Sequence, residues 1–469
     1  MSHGITRGLA MAIATAPFLI TCGGGKADNP NPVTPAQCSG ASCGTQGAPT
    51  PSASTATLCP DTAALVKSTY LGGAGSGEIV QLNIDATAMT YTLKWLESTI
   101  PLTSASVSVT RRGTQITGAV IHPPTGMLPT AEQTRCAFIL GAGTGTASDG
   151  TTYTTPDFVD NPNPPMILIG KGVAGGGIPG ATIQYAGITL LPGVPAIGAV
   201  NQRHFDFYPF LGFASTTTDI TKLPGTYNAL LYHLSPTANY ETVASNAVET
   251  FDASGNCTSS SAAGCLSTGN ALTLNSNGYF DSASPPQIVP GTGATSNPLR
   301  TGKYGTAHMI LGQLNGATVP LVVRTGFVDT SNLISPQVDD ESGIAMLAAA
   351  TPLASGGFDG GYVGADSNFK NTATLVQGAV ATFINPSTSA AESSVGLGYG
   401  ASSPGLVNVR DGTCNTGLAI ASGGLYATVI QGEENGGITS TRGRRCSTRA
   451  LRTTSPSTGG SLRRSRISR

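Results

Sequence analysis

Between residues 80 and 95 the chain alternates strictly. Val80, Leu82 and Ile84 are interleaved with Gln81, Asn83 and Asp85, and Tyr91, Leu93 and Trp95 with Thr92 and Lys94. A period of two gives an extended backbone one apolar and one polar face, so each run reads as a half-buried strand and the pair as a hairpin. Little else in the chain suits helices. Only 10% of its 469 residues are charged, against roughly 25% in an ordinary domain, and long surface helices are built from Glu, Lys and Arg. Gly (62) and Pro (31) make about a fifth of the chain and supply turns. The fold class expected is all-β: an antiparallel sandwich or barrel-like body of many short strands with Gly/Pro-rich turns. Further strands are expected at Met166–Ile169, Tyr227–Tyr232, Ala271–Leu274, Val319–Val323, Thr372–Ile384 and Leu425–Ile430. Two helices are expected, at Asp61–Tyr70, started by Pro60 or Asp61, and at Asp339–Ala350, limited by Gly343 and Pro352. A membrane-spanning barrel is the weaker architecture, because aromatic residues are only 6% and many strands look too short.

The amino-terminal end reads as an export signal. Arg7 stands without an acid, an apolar run extends from Gly8 to Ile20, and Cys22 is followed by Gly23-Gly24-Gly25. The run is too short to cross a bilayer as a helix. Leu19-Ile20-Thr21-Cys22 resembles the lipobox of bacterial lipoproteins, in which the cysteine thiol receives a diacylglyceryl group and becomes the new amino terminus. Thr21 stands where that motif usually has Gly, Ala or Ser, so an ordinary signal with Cys22 as a spare thiol is the alternative. The lipobox reading makes the membrane a partner through lipid on Cys22. Gly23, in place of the Asp that marks inner-membrane retention, implies an exported outer-membrane lipoprotein, periplasmic or surface-facing.

Five segments follow: a lipoprotein signal peptide at 1–21; a disordered Pro/Gly/Ser/Thr tether at 22–58, too poor in apolar surface to fold; a β-rich domain at 59–215; a second β-rich domain, or a continuation of the first, at 216–435; and a basic tail at 436–469. After Glu434 there are nine arginines, no lysine and no acid. Setting those and Arg7 aside leaves 14 of the 24 basic residues against 25 acidic ones, a net charge near −11, so nucleic acid is not expected as a ligand. The tail is a basic arm for phosphate or anionic lipid, a solvated disordered end, or a frameshifted terminus; the abrupt change of style favours the last.

Nine cysteines fit an oxidising compartment. Cys38 with Cys43, and Cys257 with Cys265, would close short loops, and Cys59 with Cys136 would tie the start of the body to a later strand. Eight cysteines besides Cys22 permit 105 pairings, so the connectivity stays open. Cys414 and Cys446 are the other two.

Catalytic motifs are weak. His204, Asp206 and Tyr208 would share one face of a strand, with Phe205 and Phe207 on the other. A His-Asp pair can ligate a metal or orient a base, but two packed phenylalanines and a wet polar face explain the same pattern. Gly175-Gly176-Gly177-Ile178-Pro179-Gly180 matches G-x-G-x-x-G, yet strand-like residues follow where a dinucleotide site needs a helix, so it reads as a Gly-rich turn. Gly40-Ala41-Ser42-Cys43-Gly44 matches G-x-S-x-G inside the tether, where no nucleophile elbow can form. Asp339-Asp340-Glu341 and the loop carrying Asp359 and Asp366 read as solvated loops rather than calcium sites. No catalytic, cofactor-binding or metal residues are assigned, and no cofactor is expected.

The body from about Cys59 to Gly432 resembles a family of β-proteobacterial lipoproteins built on a domain of unknown function. The resemblance rests on the lipobox-like start, on Lys222-Leu223-Pro224-Gly225-Thr226-Tyr227-Asn228, and on Phe358-Asp359-Gly360-Gly361-Tyr362-Val363-Gly364-Ala365-Asp366-Ser367. The resemblance carries over no established activity; the function expected is that of a lipid-anchored, non-enzymatic cell-envelope protein with a binding, adhesive or structural role at the outer membrane. The alternative is a secreted or periplasmic hydrolase acting on envelope or extracellular polymers, which a His-Asp-Ser constellation in a cleft would favour.

Overall fold

The computed structural model describes residues 59–430 apart from 103–108, 129, 162–163, 186–188, 190–191, 193–198, 237–239, 259–270, 283–304, 330–336, 366–370, 386–387, 389 and 412–415. The expectations for Cys22, Cys38, Cys43, Cys265, Cys414, Cys446, the Gly40–Gly44 motif, the tether, Asp366 and the basic tail lie outside the described residues.

A short helix α1 (Thr62–Lys67) opens the body. Asp61 caps it, its Oδ1 accepting the Ala64 N–H at 2.7 Å. Removing that acceptor leaves an N–H of the first turn without its partner, so Asp61→Ala should lower stability by about 1 kcal/mol in chemical denaturation. Nine strands follow: β1 (Thr69–Ala74), β2 (Ile79–Asp85), β3 (Thr90–Glu97), β4 (Gln115–Ile121), β5 (Ala137–Thr146), β6 (Thr152–Thr154), β7 (Met166–Gly170), β8 (Val173–Tyr185) and β9 (Val200–Phe213). They form one sheet in the order β4-β3-β2-β1-β9-β8-β7-β5-β6, and β4 also pairs with β5. That last ladder closes eight strands into a barrel, with β6 attached to the side of β5. The expected hairpin is β2–β3, in the register Val80↔Trp95, Leu82↔Leu93 and Ile84↔Tyr91.

Register puts these residues on the inside of the ring, together with Tyr70, Ile116, Phe138, Ile167, Ile178, Tyr208 and Phe210, all buried in one cluster. Away from the face that the second sheet covers, most outward positions of β2–β5 are polar, among them Gln81, Asn83, Thr92, Lys94, Gln115, Thr117, Thr144 and Thr146. A bilayer barrel has the opposite polarity, apolar outside and polar within. The helix α2 (Ala131–Arg135) begins in a capping box between Thr130 and Gln133. A disulfide joins Cys59 to Cys136 just after it, with the two Cα atoms 5.8 Å apart.

The G-x-G-x-x-G run is not a turn. It lies inside β8, where Gly175 and Gly176 pair with both β7 and β9, and Gly177, Ile178 and Pro179 pair with β9. The glycines serve close backbone approach: a Cβ on Gly176 (φ 139°) would meet the Met166 carbonyl oxygen at 1.8 Å, and one on Gly180 the Phe205 carbonyl oxygen at 2.0 Å.

The next strands are β10 (Gly225–Ser235), β11 (Glu241–Phe251), β12 (Thr273–Leu274), β13 (Phe280–Asp281), β14 (Thr306–Leu314), β15 (Ala317–Thr325), β16 (Phe327–Asp329), β17 (Gln337–Asp339) and β18 (Ser342–Ala349). Seven of them make a second sheet, β11-β10-β18-β15-β14-β13-β12, and β16–β17 make a two-stranded ribbon. Both faces of this sheet are covered. Leu230, Ile310, Leu321, Val323 and Met346 pack with Leu71, Ile79, Val173 and Phe213 on the outside of the barrel. Met309, Leu311, Val322, Ala345 and Leu347 pack under Leu223, Phe251 and Cys257. Double burial explains why β14, β15 and β18 read as continuous apolar runs. It also corrects the helix expected over Asp339–Ala350: Gly343, Ile344 and Ala345 are ladder residues between β10 and β15.

The last seven strands are β19 (Gly360–Ala365), β20 (Asn371–Gln377), β21 (Val380–Ile384), β22 (Ala391–Gly398), β23 (Val407–Asp411), β24 (Thr416–Ser422) and β25 (Leu425–Ile430), each paired with its successor. Thr372–Ile384, expected as one strand, is instead the β20–β21 hairpin, turned at Gly378 (φ 57°).

Candidate functional site

The first place where this fold concentrates charge is sealed. The β1–β2 turn, residues 75–78, carries Glu78 into the end of the barrel, where it meets Arg111; both side chains are fully buried. Arg111 Nε donates to Glu78 Oε1 at 2.6 Å, and Nη2 donates to Oε2. Nη1 reaches the carbonyls of Pro179 at 3.2 Å and Gly180 at 2.9 Å on β8. Ser76 and Ser98 donate to the same carboxylate at 2.6 and 2.5 Å. The guanidinium lies over Trp95, 4.4 Å from the ring centroid. Burial opposes the Arg111 charge, but Glu78 outweighs it and holds the guanidinium protonated.

A second sealed network lies across the same turn. The Thr325 hydroxyl donates to the Gly77 carbonyl at 2.5 Å. Beside it Arg324 Nη2 donates to Asp339 Oδ1 at 2.7 Å, and Nη1 donates to the Glu341 carbonyl. Asp339 Oδ2 accepts the Gly305 N–H at 2.6 Å, and Glu341 Oε1 lies 2.8 Å from His233 Nδ1. Asp339, Asp340 and Glu341 are all buried, which corrects their reading as a solvated loop. Local sequence gave no warning, because their cation, Arg324, comes from another strand. Of these bonds, the one from Thr325 to Gly77 ties the β1–β2 turn of the barrel to the second sheet, and the others brace the end of that sheet.

The second place is open. The hydroxyl of Thr306, which is exposed, is 3.3 Å from His308 Nε2, and His308 Nδ1 is 2.7 Å from Asp281 Oδ1. The β13–β14 ladder creates this chain by pairing Asp281 with His308, while Thr306 lies two residues along the same face. Asn275 donates to Asp281 Oδ2 at 2.9 Å. Burial works against the Asp281 charge, yet His308 and Asn275 outweigh it and hold the carboxyl below its usual range. Tyr279 stands edge-on to the imidazole at 5.3 Å and donates to Glu97, which pairs with Arg112. A carboxylate–imidazole–hydroxyl chain can polarise the hydroxyl for proton transfer. Sequence reasoning missed it, because its three members come from two strands and match no spacing rule.

Glu249 is a third unusual group. It pairs in register with Tyr227, on the face where Ala247 and Phe251 pack into the apolar cluster under the second sheet. Its Oε2 is buried with no hydrogen bond among the described residues, and burial pushes its carboxyl up to about 8.

The structure keeps the predicted His204–Asp206 pair together, Nε2 to Oδ1 at 3.2 Å, with both side chains more than half exposed. Tyr208 parts from them and is buried in the barrel. Among the described residues, no group of three or more His, Cys, Asp and Glu is placed to hold a metal. No helix among them is long and apolar enough to cross a membrane.

A family model described as "protein of unknown function (DUF2957)" matches residues 90–444. No curated protein matches. Among solved structures the chain is similar to a double mutant of the vaccine antigen transferrin binding protein B from Haemophilus parasuis Hp5, at 10% identity and a TM-score of 0.16. The match covers 75% of this chain and 64% of that one. That score is too low to transfer an arrangement of strands or a role.

Proposed function

From the premise that this chain belongs to the DUF2957 family of proteins of unknown function, we infer that it is a lipid-anchored envelope protein whose all-β body binds or supports rather than catalyses. The polarity of the barrel carries this reading. Its apolar face is inward and filled with side chains, and its free outward face is polar. Such a body lives in water and needs a separate anchor to stay at a membrane. Arg7, the apolar run from Gly8 to Ile20 and Cys22 supply one in the lipobox reading. Each buried methylene contributes about 0.8 kcal/mol, and two or more acyl chains hold a protein stably. Gly23 after Cys22 supports the outer membrane as the destination. The expected result is that protein from the native membrane fraction has the intact mass of a chain starting at acylated Cys22, and that Cys22→Ser moves it to the soluble exported fraction. An unacylated mass in the membrane fraction would refute the anchor.

The Asp281–His308–Thr306 chain favours a second reading, a hydrolase with Thr306 Oγ1 as nucleophile and His308 as base. This reading expects ester hydrolysis of p-nitrophenyl acetate that falls by about 100-fold or more in His308→Asn. The binding reading expects both proteins to match buffer, so the assay separates the two.

A further inference from the structure

The third sheet almost closes on itself. Tyr362 on β19 and Tyr426 on β25 belong to its two edge strands, yet their rings lie 5.1 Å apart. Phe358 lies behind them, 5.8 Å from Tyr426 and 5.9 Å from Tyr399. The inward face is lined by Val376, Ala381, Val395, Leu397, Val407 and Val409. Six successive antiparallel pairings leave β19 and β25 running in the same direction. Among the described residues no ladder joins them, whereas β4–β5 closes the first barrel. The third sheet is therefore a seven-stranded ring with a seam, and one strand antiparallel to both edges would complete eight.

We propose that the seam between β19 and β25 is a docking slot for an extended, uncharged polypeptide segment of a partner protein, inserted antiparallel to both edges. Edge strands present rows of backbone N–H and C=O groups that recruit a further strand. The chemistry of the two edges selects a neutral occupant: Gly360–Ala365 and Leu425–Ile430 contain no Asp, Glu, Lys, Arg or His. A charge on an inward side chain of the occupant would be desolvated among the apolar residues of the ring. The Tyr426 hydroxyl is buried, with the Thr428 side chain near it but no hydrogen bond within 3.5 Å among the described residues; a backbone carbonyl of the inserted strand would accept from it. The Tyr362 and Tyr426 rings meet behind the seam, so inward side chains of the occupant must be small or slender. The proposal deepens the binding reading and rests on it, but its test does not involve the lipid.

The probe is a fluorescent, amino-acetylated peptide with the sequence of residues 371–377, a neutral segment that already pairs antiparallel with β19 in the fold. The expected result with the full-length protein is saturable one-to-one binding, with amide hydrogen exchange slowing in 360–365 and 425–430 together. The same peptide carrying Leu375→Pro should fail, since proline removes a ladder donor. Tyr426→Phe in the protein should weaken binding about fivefold, the worth of one hydrogen bond of about 1 kcal/mol. Three results would overturn the proposal: no binding; seam amides already protected in the peptide-free monomer, which would mean the chain's own residues fill the slot; or protection only at concentrations where the mass is that of a dimer, which would mean a second copy does. Acylation of Cys22 is read separately by mass, so the anchor reading and the slot stand or fall independently.

Discussion

Arg111→Met should destabilise the protein by about 3–5 kcal/mol, the usual cost of breaking a fully buried ion pair from one side. The reason is the carboxylate left behind. Glu78 is sealed in the end of the barrel, and among the described residues the Ser76 and Ser98 hydroxyls are its remaining side-chain donors. Two carbonyls on β8, those of Pro179 and Gly180, also lose their donor. Pairing Arg111→Met with Glu78→Leu removes the stranded charge, so the double variant should recover much of the loss. Denaturation midpoints of four proteins, the wild type, Arg111→Met, Glu78→Leu and the double variant, test this. A double variant as unstable as the sum of the singles would show that the pair is not energetically coupled.

The second large effect is the pH dependence built into Glu249. Its carboxyl is pushed up to about 8 from an ordinary 4.5 because it is buried among apolar groups. The folded state therefore keeps a proton that the unfolded chain gives up. Stability is complete below about pH 4.5, falls as pH rises through the window to about 8, and levels off above it. The slope is about 1.4 kcal/mol per pH unit, for a total of roughly 5 kcal/mol. Glu249→Gln removes the titration and keeps the shape. The stability difference between variant and wild type should widen from pH 5 to pH 8 and then stay constant. A difference that does not change with pH would mean that Glu249 is solvated in the folded protein.

The fold class was legible because its signal is local. Strict alternation at Val80–Ile84 and Tyr91–Trp95 gave the hairpin, and Leu425–Ile430 is the last described strand as expected. Asp61 begins a helix, although it ends at Lys67 rather than Tyr70. What escaped was long-range. Closure of the barrel depends on β4 meeting β5, which no periodicity announces. Residues 339–350 contain enough alanine and leucine to suggest a helix, but burial on both faces of the second sheet overrode that propensity. The glycines of β8 looked like a turn because their demand, close backbone contact with neighbouring strands, is visible only in three dimensions. The site suffered most. Glu78 and Arg111 are 33 residues apart and Asp281 and His308 are 27 apart, so no motif could bring them together.

The position of the Cys59–Cys136 disulfide has a mechanical consequence. Tension arriving through residues before 59 would reach this bond before any strand of the barrel. The force would then divide between α1 and the start of β5, with Arg135 also gripping the Pro60 carbonyl at 2.9 Å. It would not unzip β1 one ladder bond at a time from its end. The barrel would be loaded at two separate strands rather than at one free end.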